Sequence, residues 1–467
     1  MGGALAERIV QEHAAASGVL PSSVVSAEHR RSAVEALAAH GLPTTRDENW
    51  KYANLRPVEK TRFGSVASSS RGKVTLADLP TAVANYVRYV FVDGVFAAEL
   101  SDVLSPAGVT VRSAASADAM AVNAAVQRTG SPAGGDGLKS VAFNAGSKNG
   151  SVGPGGAGGA ARPDERFALL NDAFAVDGAL IHAPKNVDCT ACVEILFIAT
   201  EAAQDAASYP RVELNVETNA RVGLIERHIS AGSDANFVNG SVKVSVGVGA
   251  QVNHYRLQQA GARSTWIDTL TASVDKDARY AMHFVGLGGI SARSTVHVHL
   301  VGERAETAIH VVSLGDGQQV QDGFALIEHV APNTKSDQSV RGIAAGRSRV
   351  AFNSKVVVRE NAKGTDSKQS LRGLLAGPQA EIDVRPQLEI YTDDVRCNHG
   401  ATAGKLDDNM LFYMLSRGIE RDIAQQLLKW AFLEDVVSRI AVPELRKHIE
   451  LSLAGQMKET AALKELL

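Results

Sequence analysis

The residue pair best suited to chemistry is a cysteine and a histidine two positions apart, Cys397 and His399, within segment 393–402. A thiolate and an imidazole together suit zinc or an iron–sulfur species. If the segment is extended, both side chains point to one face, because side chains alternate along a strand. Two ligands cannot complete a four-coordinate site, so the others would have to come from another chain. A buried cysteine and a hydrogen-bonded histidine at a domain junction remain the alternative.

The residues that flank the cysteine bear on its reactivity. Arg396 precedes Cys397, and Gly400 follows shortly after. A positive charge and nearby backbone N–H groups favour a thiolate. We therefore expect the pKa of Cys397 to be lowered.

A second metal site is conceivable on one predicted strand. His297 and His299 would share a face of that strand, and Glu303 follows four residues later. Two imidazoles and a carboxylate resemble the metal-binding strand of cupin enzymes, with His283 or His310 as a further ligand. The glycines that frame the cupin motif are not at the corresponding positions. A cupin-like metal-dependent enzyme is therefore the alternative function, and histidines on a solvated strand face are the simpler interpretation.

The remaining motifs argue against catalysis. Cys189 and Cys192 form a single Cys-x-x-Cys pair, with no second pair for zinc and no helix start of the thioredoxin kind, so we interpret them as ordinary cysteines. Neither Gly72-Lys73 nor Gly404-Lys405 has the preceding glycine or the following Ser or Thr of an ATP-binding P-loop. No G-x-S-x-G nucleophile motif is present. The sequence predicts a protein that is not an enzyme.

Composition limits the class of protein. The chain has 467 residues and a formal net charge of −3, which argues against a nucleic-acid or membrane-surface protein. Three cysteines, an odd number, do not make a disulfide framework. Acidic residues near the start and the lack of an 18-residue apolar run argue against a secretory signal and a membrane span. We expect a cytoplasmic protein.

Patterning divides the chain into four segments. Residues 1–128 predict a mainly helical domain with a short hairpin at Asp93-Gly94. Residues 129–162 are rich in Gly and small residues, and predict a flexible insertion. Residues 163–392 predict the β-rich core, and residues 393–467 a C-terminal helical domain in which Pro443 starts a helix.

The core carries a repeat. Turns of a polar residue or Gly followed by a small residue recur at Asn219-Ala220, Gly249-Ala250, Asp277-Ala278, Arg304-Ala305, Asn333-Thr334 and Asn361-Ala362. The interval is about 28 residues, and strands rich in Val, Ile and Thr separate the turns. Repeats of this length built from strands predict a β-solenoid, in which each coil buries the face of its neighbour.

Several segments together resemble one family. They are residues 46–55, 90–96, 169–174, 364–370, 386–390, 393–402, 411–413 and 416–419. They resemble SufD, a scaffold subunit of the SUF machinery for iron–sulfur cluster assembly, and the likeness covers most of the chain outside the Gly-rich insertion. The related SufB chains usually carry a cysteine cluster in the N-terminal half, whereas the first cysteine here is Cys189. Ser354 stands where the family commonly has Gly, which we interpret as a tolerated turn change.

The resemblance implies a fold and partners. It implies a mainly β protein, with a right-handed parallel β-helix core between N- and C-terminal helical domains. It also implies a SufBCD-type complex with a SufB-like paralogue and a SufC-like ATPase, in which ATP hydrolysis belongs to the latter. A homodimer of the isolated chain stays open.

The resemblance also implies site residues. His399 matches the family histidine at the interface with SufB, a proposed ligand of a transient iron–sulfur cluster, and Cys397 matches a nearby family cysteine. The helices between residues 409 and 432 match the surface that docks SufC, which implicates Tyr413, Arg417, Leu427 and Phe432 in partner binding. A purely structural partner of SufB is the remaining alternative.

Overall fold

The computed structural model describes residues 2–65, 73–102, 104–116, 163–200, 206–232 and 235–457. The Gly-rich segment predicted at residues 129–162 lies outside these residues. The helices are α1 (Gly2–Ala16), α2 (Ala27–His40), α3 (Arg166–Phe174), α4 (Asp408–Ser416), α5 (Arg421–Val437) and α6 (Pro443–Gln456). In the described part of the chain no helix is both long and apolar enough to cross a membrane.

The described chain contains twenty-one strands. They are β1 (Arg62–Ser65), β2 (Val87–Val92), β3 (Val95–Phe96), β4 (Thr110–Ser113), β5 (Ala179–Ala183), β6 (Asp188–Ala199), β7 (Ala206–Ser208), β8 (Arg211–Val216), β9 (Arg221–Ser230), β10 (Phe237–Val246), β11 (Gln251–Gln259), β12 (Thr265–Val274), β13 (Arg279–Gly286), β14 (Ser291–Leu300), β15 (Glu306–Gly315), β16 (Val320–His329), β17 (Lys335–Ala344), β18 (Arg349–Val358), β19 (Thr365–Leu375), β20 (Glu381–Ile390) and β21 (Val395–Gly404).

The strands form two facing sheets. From β8 onward, even-numbered strands add to the first sheet, which ends at β20, and odd-numbered strands add to the second, which ends at β21. Neighbouring strands in this region pair in parallel and in register; Thr265, Ser291, Val320 and Arg349 align across β12, β14, β16 and β18. The chain therefore winds through about seven coils of a parallel β-solenoid, and the predicted mainly β fold is confirmed.

The turns from the first sheet to the second stack on one another. A residue with positive φ stands in each of them: Asn219, Gly249, Asp277, Arg304, Asn333 and Gly364. Each backbone N–H donates to a carbonyl oxygen in the next coil, as from Asn219 to Val248 at 2.8 Å and from Gly364 to Asp394 at 2.7 Å. Five of the six are predicted turn positions. In the last turn the left-handed residue is Gly364, three positions after the predicted Asn361, because this turn is longer.

The space between the sheets, here called the lumen, is mostly apolar. Tyr280, Met282 and Phe284 of β13 point into it and belong to one large buried cluster with inward side chains of both sheets. The residues between them point outward, as strand alternation requires. Val285, for example, packs outside the second sheet.

A charged group, here called the lumen cluster, interrupts this apolar interior. It consists of Glu226, His228, His254, Arg256 and Asp268, which are all nearly or fully buried. The Arg256 Nη2 atom lies 2.7 Å from Glu226 Oε1 and 2.5 Å from Asp268 Oδ2. His228 and His254 contact the Glu226 carboxylate at 2.6 and 3.1 Å. Pairing offsets the cost of burying these charges.

The N-terminal helices cover the outer face of the first sheet. Trp50 is fully buried there, stacks on Phe167 of α3 at 5.1 Å, and donates its indole N–H to Asp164 at 2.8 Å. The Arg293 guanidinium of β14 lies 3.9 Å from the Trp50 ring centroid. Trp50 therefore ties the N-terminal domain to the solenoid.

The C-terminal helices cover the outer face of the second sheet. Leu433 and Val436 of α5 and Leu445 of α6 share a buried cluster with Tyr255 and Val285 of the solenoid. Pro443 is the first residue of α6, as predicted, where its missing N–H costs nothing. The solenoid continues to Gly404, twelve residues beyond the boundary expected at residue 392, and the helices begin only afterwards.

Candidate functional site

The last coil of the solenoid carries the candidate site. Strand β20 pairs with β18 at the end of the first sheet, and β21 pairs with β19 at the end of the second. In the described chain no further strand follows either of them. Terminal strands present rows of backbone donors and acceptors that can pair with another chain. We call β20 and β21 the open end.

Cys397 and His399 both lie on β21 and face the same way. Cys397 aligns with Ser367 of β19, and His399 aligns with Gln369. Both partners are buried in the lumen, so the cysteine and histidine point inward over it. Cys397 is half-buried against the lumen's apolar cluster, whereas His399 is exposed. The extended segment and the shared face are confirmed; a metal-binding role for the pair remains a prediction.

The expected lowering of the Cys397 pKa is wrong. Burial raises the pKa of this thiol, the charge of Asp366 on β19 raises it further, and a hydrogen bond from the Ser367 backbone only partly opposes them. Arg396 is exposed and, by strand alternation, points away from the lumen. Cys397 therefore holds its proton, and a metal ion would have to displace it.

A stack of polar side chains lies beneath the pair. Ser336 and Ser367 align under Cys397, and Gln338 and Gln369 align under His399. Ser336 donates to Ser367 at 2.9 Å, and the Gln369 amide donates to Ser354 of the first sheet at 2.8 Å. We call Ser336, Ser367, Gln338 and Gln369 the polar floor. It is a second hydrogen-bonding group in the mostly apolar lumen, separate from the lumen cluster.

The polar floor was not predicted from the sequence, although its residues follow a repeated spacing. Ser336 and Gln338 are two positions apart, and the same Ser-x-Gln spacing recurs one coil later at Ser367 and Gln369. Polar residues at the inward positions of two successive strands break the apolar pattern that a buried strand shows. The third coil replaces this pair with Cys397 and His399.

Helix α4 presents an apolar surface beside the open end. Met410, Phe412 and Tyr413 are 56%, 73% and 59% exposed. The Arg417 guanidinium lies 5.1 Å from the Tyr413 ring centroid, and Arg417 is exposed as well. We call these four residues the α4 face. Asp407 caps the helix by accepting from the Asn409 N–H at 2.8 Å.

The two other predicted partner-binding residues lie on α5. Leu427 and Phe432 are both half-buried. Phe432 packs toward the solenoid, where the Arg341 guanidinium lies 5.9 Å from its ring. Tyr413 and Arg417 are thus exposed to solvent, whereas the Phe432 ring is partly covered by the solenoid.

The structure does not bring the cupin-like residues together. His299 lies 2.8 Å from Glu328, whereas Glu303 pairs with Arg304 at 2.7 Å in a turn. His283 and His310 belong to the second sheet, with ring centroids 4.9 Å apart, whereas β14 belongs to the first. Among the residues that are described, no group of three or more His, Cys, Asp or Glu side chains is placed to hold a metal ion. Nothing in this arrangement favours the cupin-like alternative.

Comparison with known proteins agrees with the solenoid and its flanking regions. A model of the SufBD core domain of the SUF iron–sulfur cluster assembly system matches residues 197–432, and one of the SufBD N-terminal region matches residues 13–144.

Two relatives match more than nine tenths of this chain, and a third matches about two thirds of it. The iron–sulfur cluster assembly protein SufD of Escherichia coli is 27% identical over 425 residues, 91% of each chain. A SufBD family iron–sulfur cluster assembly protein of Synechocystis is 27% identical over 94% of this chain and 92% of its own. SufD of Bacillus subtilis is 24% identical over 63% of this chain and 68% of its own. The chain therefore belongs to the SufBD family of iron–sulfur cluster assembly proteins, as a SufD-like member.

Proposed function

We propose that this chain is a non-catalytic scaffold subunit, which contributes Cys397 and His399 as ligands to an iron–sulfur cluster during its assembly. One observation carries this proposal: a thiol and an imidazole face the same way on the last strand of a solenoid, above a polar floor. Thiolate and imidazole ligands suit iron–sulfur clusters. The cluster is the cargo of this reaction and leaves with an acceptor.

The remaining ligands come from a second scaffold of the SufB type. Two protein ligands do not hold a cluster by themselves, and among the described strands none pairs with the outer edges of β20 and β21. A partner that ends in a similar solenoid could extend both sheets through backbone hydrogen bonds, as in other cases of strand addition. The half-buried Cys397 would then lie at the junction of the two lumens.

The energy source is a partner ATPase of the SufC type, which docks on the α4 face. This sequence has no P-loop, so ATP hydrolysis must be supplied by another chain. Exposed aromatic and methionine side chains beside an arginine have the composition of a protein interface. The complex works in the cytoplasm, where thiols stay reduced.

The test is anaerobic cluster assembly by the co-purified complex of this chain with SufB-like and SufC-like partners. We expect His399→Ala to leave the complex intact and to reduce iron and acid-labile sulfide per complex by several-fold. Asn398→Ala is the matched control, because Asn398 is exposed on the same strand and points to the other face. Normal cluster yield from an intact His399→Ala, Cys397→Ser complex would leave only a structural role.

The docking surface has a separate test. Replacing Phe412 and Tyr413 by Ser is expected to abolish co-purification of the ATPase while the SufB-like partner is retained. The control replaces Val19 and Leu76, which are 80% and 69% exposed elsewhere on the chain. Equal loss of the ATPase from both variants would contradict a specific α4 face.

A further inference from the structure

The Cys189–Cys192 pair, at the other end of the solenoid, occupies a bulge in strand β6. Cys189 aligns with Val222 of β9, but Val193 aligns with Leu224. Three residues of β6, from Thr190 to Cys192, therefore stand opposite one residue of β9, Gly223. A bulge of this kind changes the direction in which the following side chains point.

The bulge brings the two thiols to the same side of the strand. Residues three apart on a regular strand point to opposite faces. Here both cysteines are buried in the lumen's apolar cluster, while Thr190 and Ala191 between them are exposed. The Cys189 thiol donates to the Ala191 carbonyl oxygen at 3.9 Å, and the structure leaves both cysteines unbridged.

The surrounding backbone holds this geometry in place. The Tyr86 hydroxyl donates to the Thr190 carbonyl oxygen at 3.2 Å. A Cβ atom at Gly223 would lie 1.9 Å from the same carbonyl oxygen, so only glycine fits opposite the bulge. The bulge that turns both thiols to the same side is thus built into the fold.

The two cysteines differ in exposure and in ionisation. Cys189 is 8% exposed, whereas Cys192 is fully buried. The neighbouring Cys192 thiol lowers the pKa of Cys189, and the neighbouring Cys189 thiol together with burial raises the pKa of Cys192 well above its ordinary value. A thiolate is the attacking form of cysteine. Cys189 is therefore suited to attack, and Cys192 to resolve.

We propose that Cys189 and Cys192 form a redox-active dithiol that is oxidised to an intramolecular disulfide by low-molecular-weight disulfides. This inference is independent of the role proposed for the open end. It differs from the sequence-based interpretation, in which the pair were ordinary cysteines, because the bulge that turns both thiols to the same side cannot be read from a single Cys-x-x-Cys motif.

The reaction proceeds by two exchanges. The Cys189 thiolate attacks one sulfur of the disulfide RSSR, and a mixed disulfide forms as RS⁻ departs. Cys192 then gives up its proton and attacks the Cys189 sulfur, which forms the Cys189–Cys192 bond and expels a second RS⁻. The protein dithiol loses two electrons, RSSR gains them, and the two thiol protons end on the two RS⁻ groups.

The test uses the full-length chain with Cys397→Ser, which removes the third cysteine, and oxidised glutathione as the disulfide. After incubation under native conditions, free thiols are alkylated and the intact mass is measured. We expect no alkylated cysteine and no bound glutathione, which indicates a closed disulfide. With Cys192→Ser added, we expect one glutathione on Cys189; with Cys189→Ser added, a reaction at least tenfold slower.

Two measurements protect the test from misfolded variants. Circular dichroism establishes that each variant is folded. The second measurement titrates the Cys397→Ser chain, in which Cys189 and Cys192 are both intact, with mixtures of reduced and oxidised glutathione. We expect the fraction of disulfide to follow one two-electron transition. Two alkylated cysteines after prolonged exposure, stable mixed disulfides on both residues, or equal rates for the two serine variants would each overturn the proposal.

Discussion

The lumen cluster and the open end place polar side chains at inward positions of the same solenoid, yet in opposite circumstances. In the middle of the solenoid, Glu226, Arg256 and Asp268 are sealed between two sheets, and each charge has an opposite charge within 3.1 Å. At the open end, His399 is exposed and Cys397 is half-buried, with no coil above them in the described chain.

The difference separates polar side chains that are enclosed by the fold from polar side chains that stay accessible. A buried charge must be compensated by its neighbours, so the lumen cluster is fixed by the stability of the fold. A polar side chain on the last strand of a sheet can still bind a ligand or a partner. We therefore expect substitutions to lower stability strongly in the lumen cluster and weakly at the open end.

The largest expected effect is in the lumen cluster. Arg256→Met keeps much of the side-chain volume but leaves Glu226 and Asp268 without their cation, and we expect it to lower the free energy of unfolding by about 3–5 kcal/mol. The measurement is urea unfolding followed by circular dichroism. Arg385→Met on β20 is the control: Arg385 is 40% exposed and pairs with an exposed Glu48, so about 1 kcal/mol or less is expected. Similar losses for both arginines would contradict the comparison.

The backbone gives a second pair of substitutions. Gly223→Ala forces a methyl group to within 1.9 Å of the Thr190 carbonyl oxygen, and we expect a loss of about 1–3 kcal/mol of unfolding free energy. Gly400→Ala on β21 meets no atom within 4 Å, so its effect should be within about 0.5 kcal/mol. Thermal unfolding of both variants is the measurement. A loss confined to Gly223→Ala indicates crowding at the bulge, and equal losses indicate a general cost of replacing glycine.

We expect acid to lower the stability of the fold by protonating Glu328, a paired carboxylate on the outer face of the first sheet. Burial alone would raise the pKa of Glu328, but His299 and Arg359 together lower it to about 2 from an ordinary 4.5. Because the folded-state pKa is the lower one, this stabilisation is complete above pH 4.5 and disappears as the pH falls toward 2.

The variant Glu328→Gln isolates that contribution. We expect wild type to lose on the order of 2–3 kcal/mol more than the variant between pH 6 and pH 2.5 in urea unfolding. Glu381→Gln, which replaces an exposed carboxylate on β20, should keep the wild-type pH dependence. An unchanged acid response in Glu328→Gln would mean that other carboxylates dominate.

The smallest stability effect is expected at the proposed ligands. The double variant Cys397→Ser, His399→Ala should unfold within about 0.5 kcal/mol of wild type, because neither side chain is fully enclosed. Gln369→Ala, one coil below, removes a buried amide that hydrogen-bonds Ser354, and about 1–3 kcal/mol is expected. A large loss in the double variant would indicate that these residues serve the fold.

Much of the architecture follows from local patterns. The left-handed turn residues recur at the predicted interval, and α6 begins at the predicted Pro443. The shared face of Cys397 and His399 follows from strand alternation alone. These features depend on residues within a few positions of one another, so a single sequence carries them.

Other features depend on register between coils, which joins residues about thirty positions apart. The sequence by itself determined the coil repeat, the start of α6 at Pro443 and the Cys-x-His spacing. Only the tertiary structure decided that burial and Asp366 raise the pKa of Cys397, that Ser367 and Gln369 form its floor, that His299 is paired with Glu328, and that a bulge turns Cys189 and Cys192 to the same side. The physical reason is that pKa values, burial and thiol contacts are set by neighbours in space, and stacking of coils chooses those neighbours.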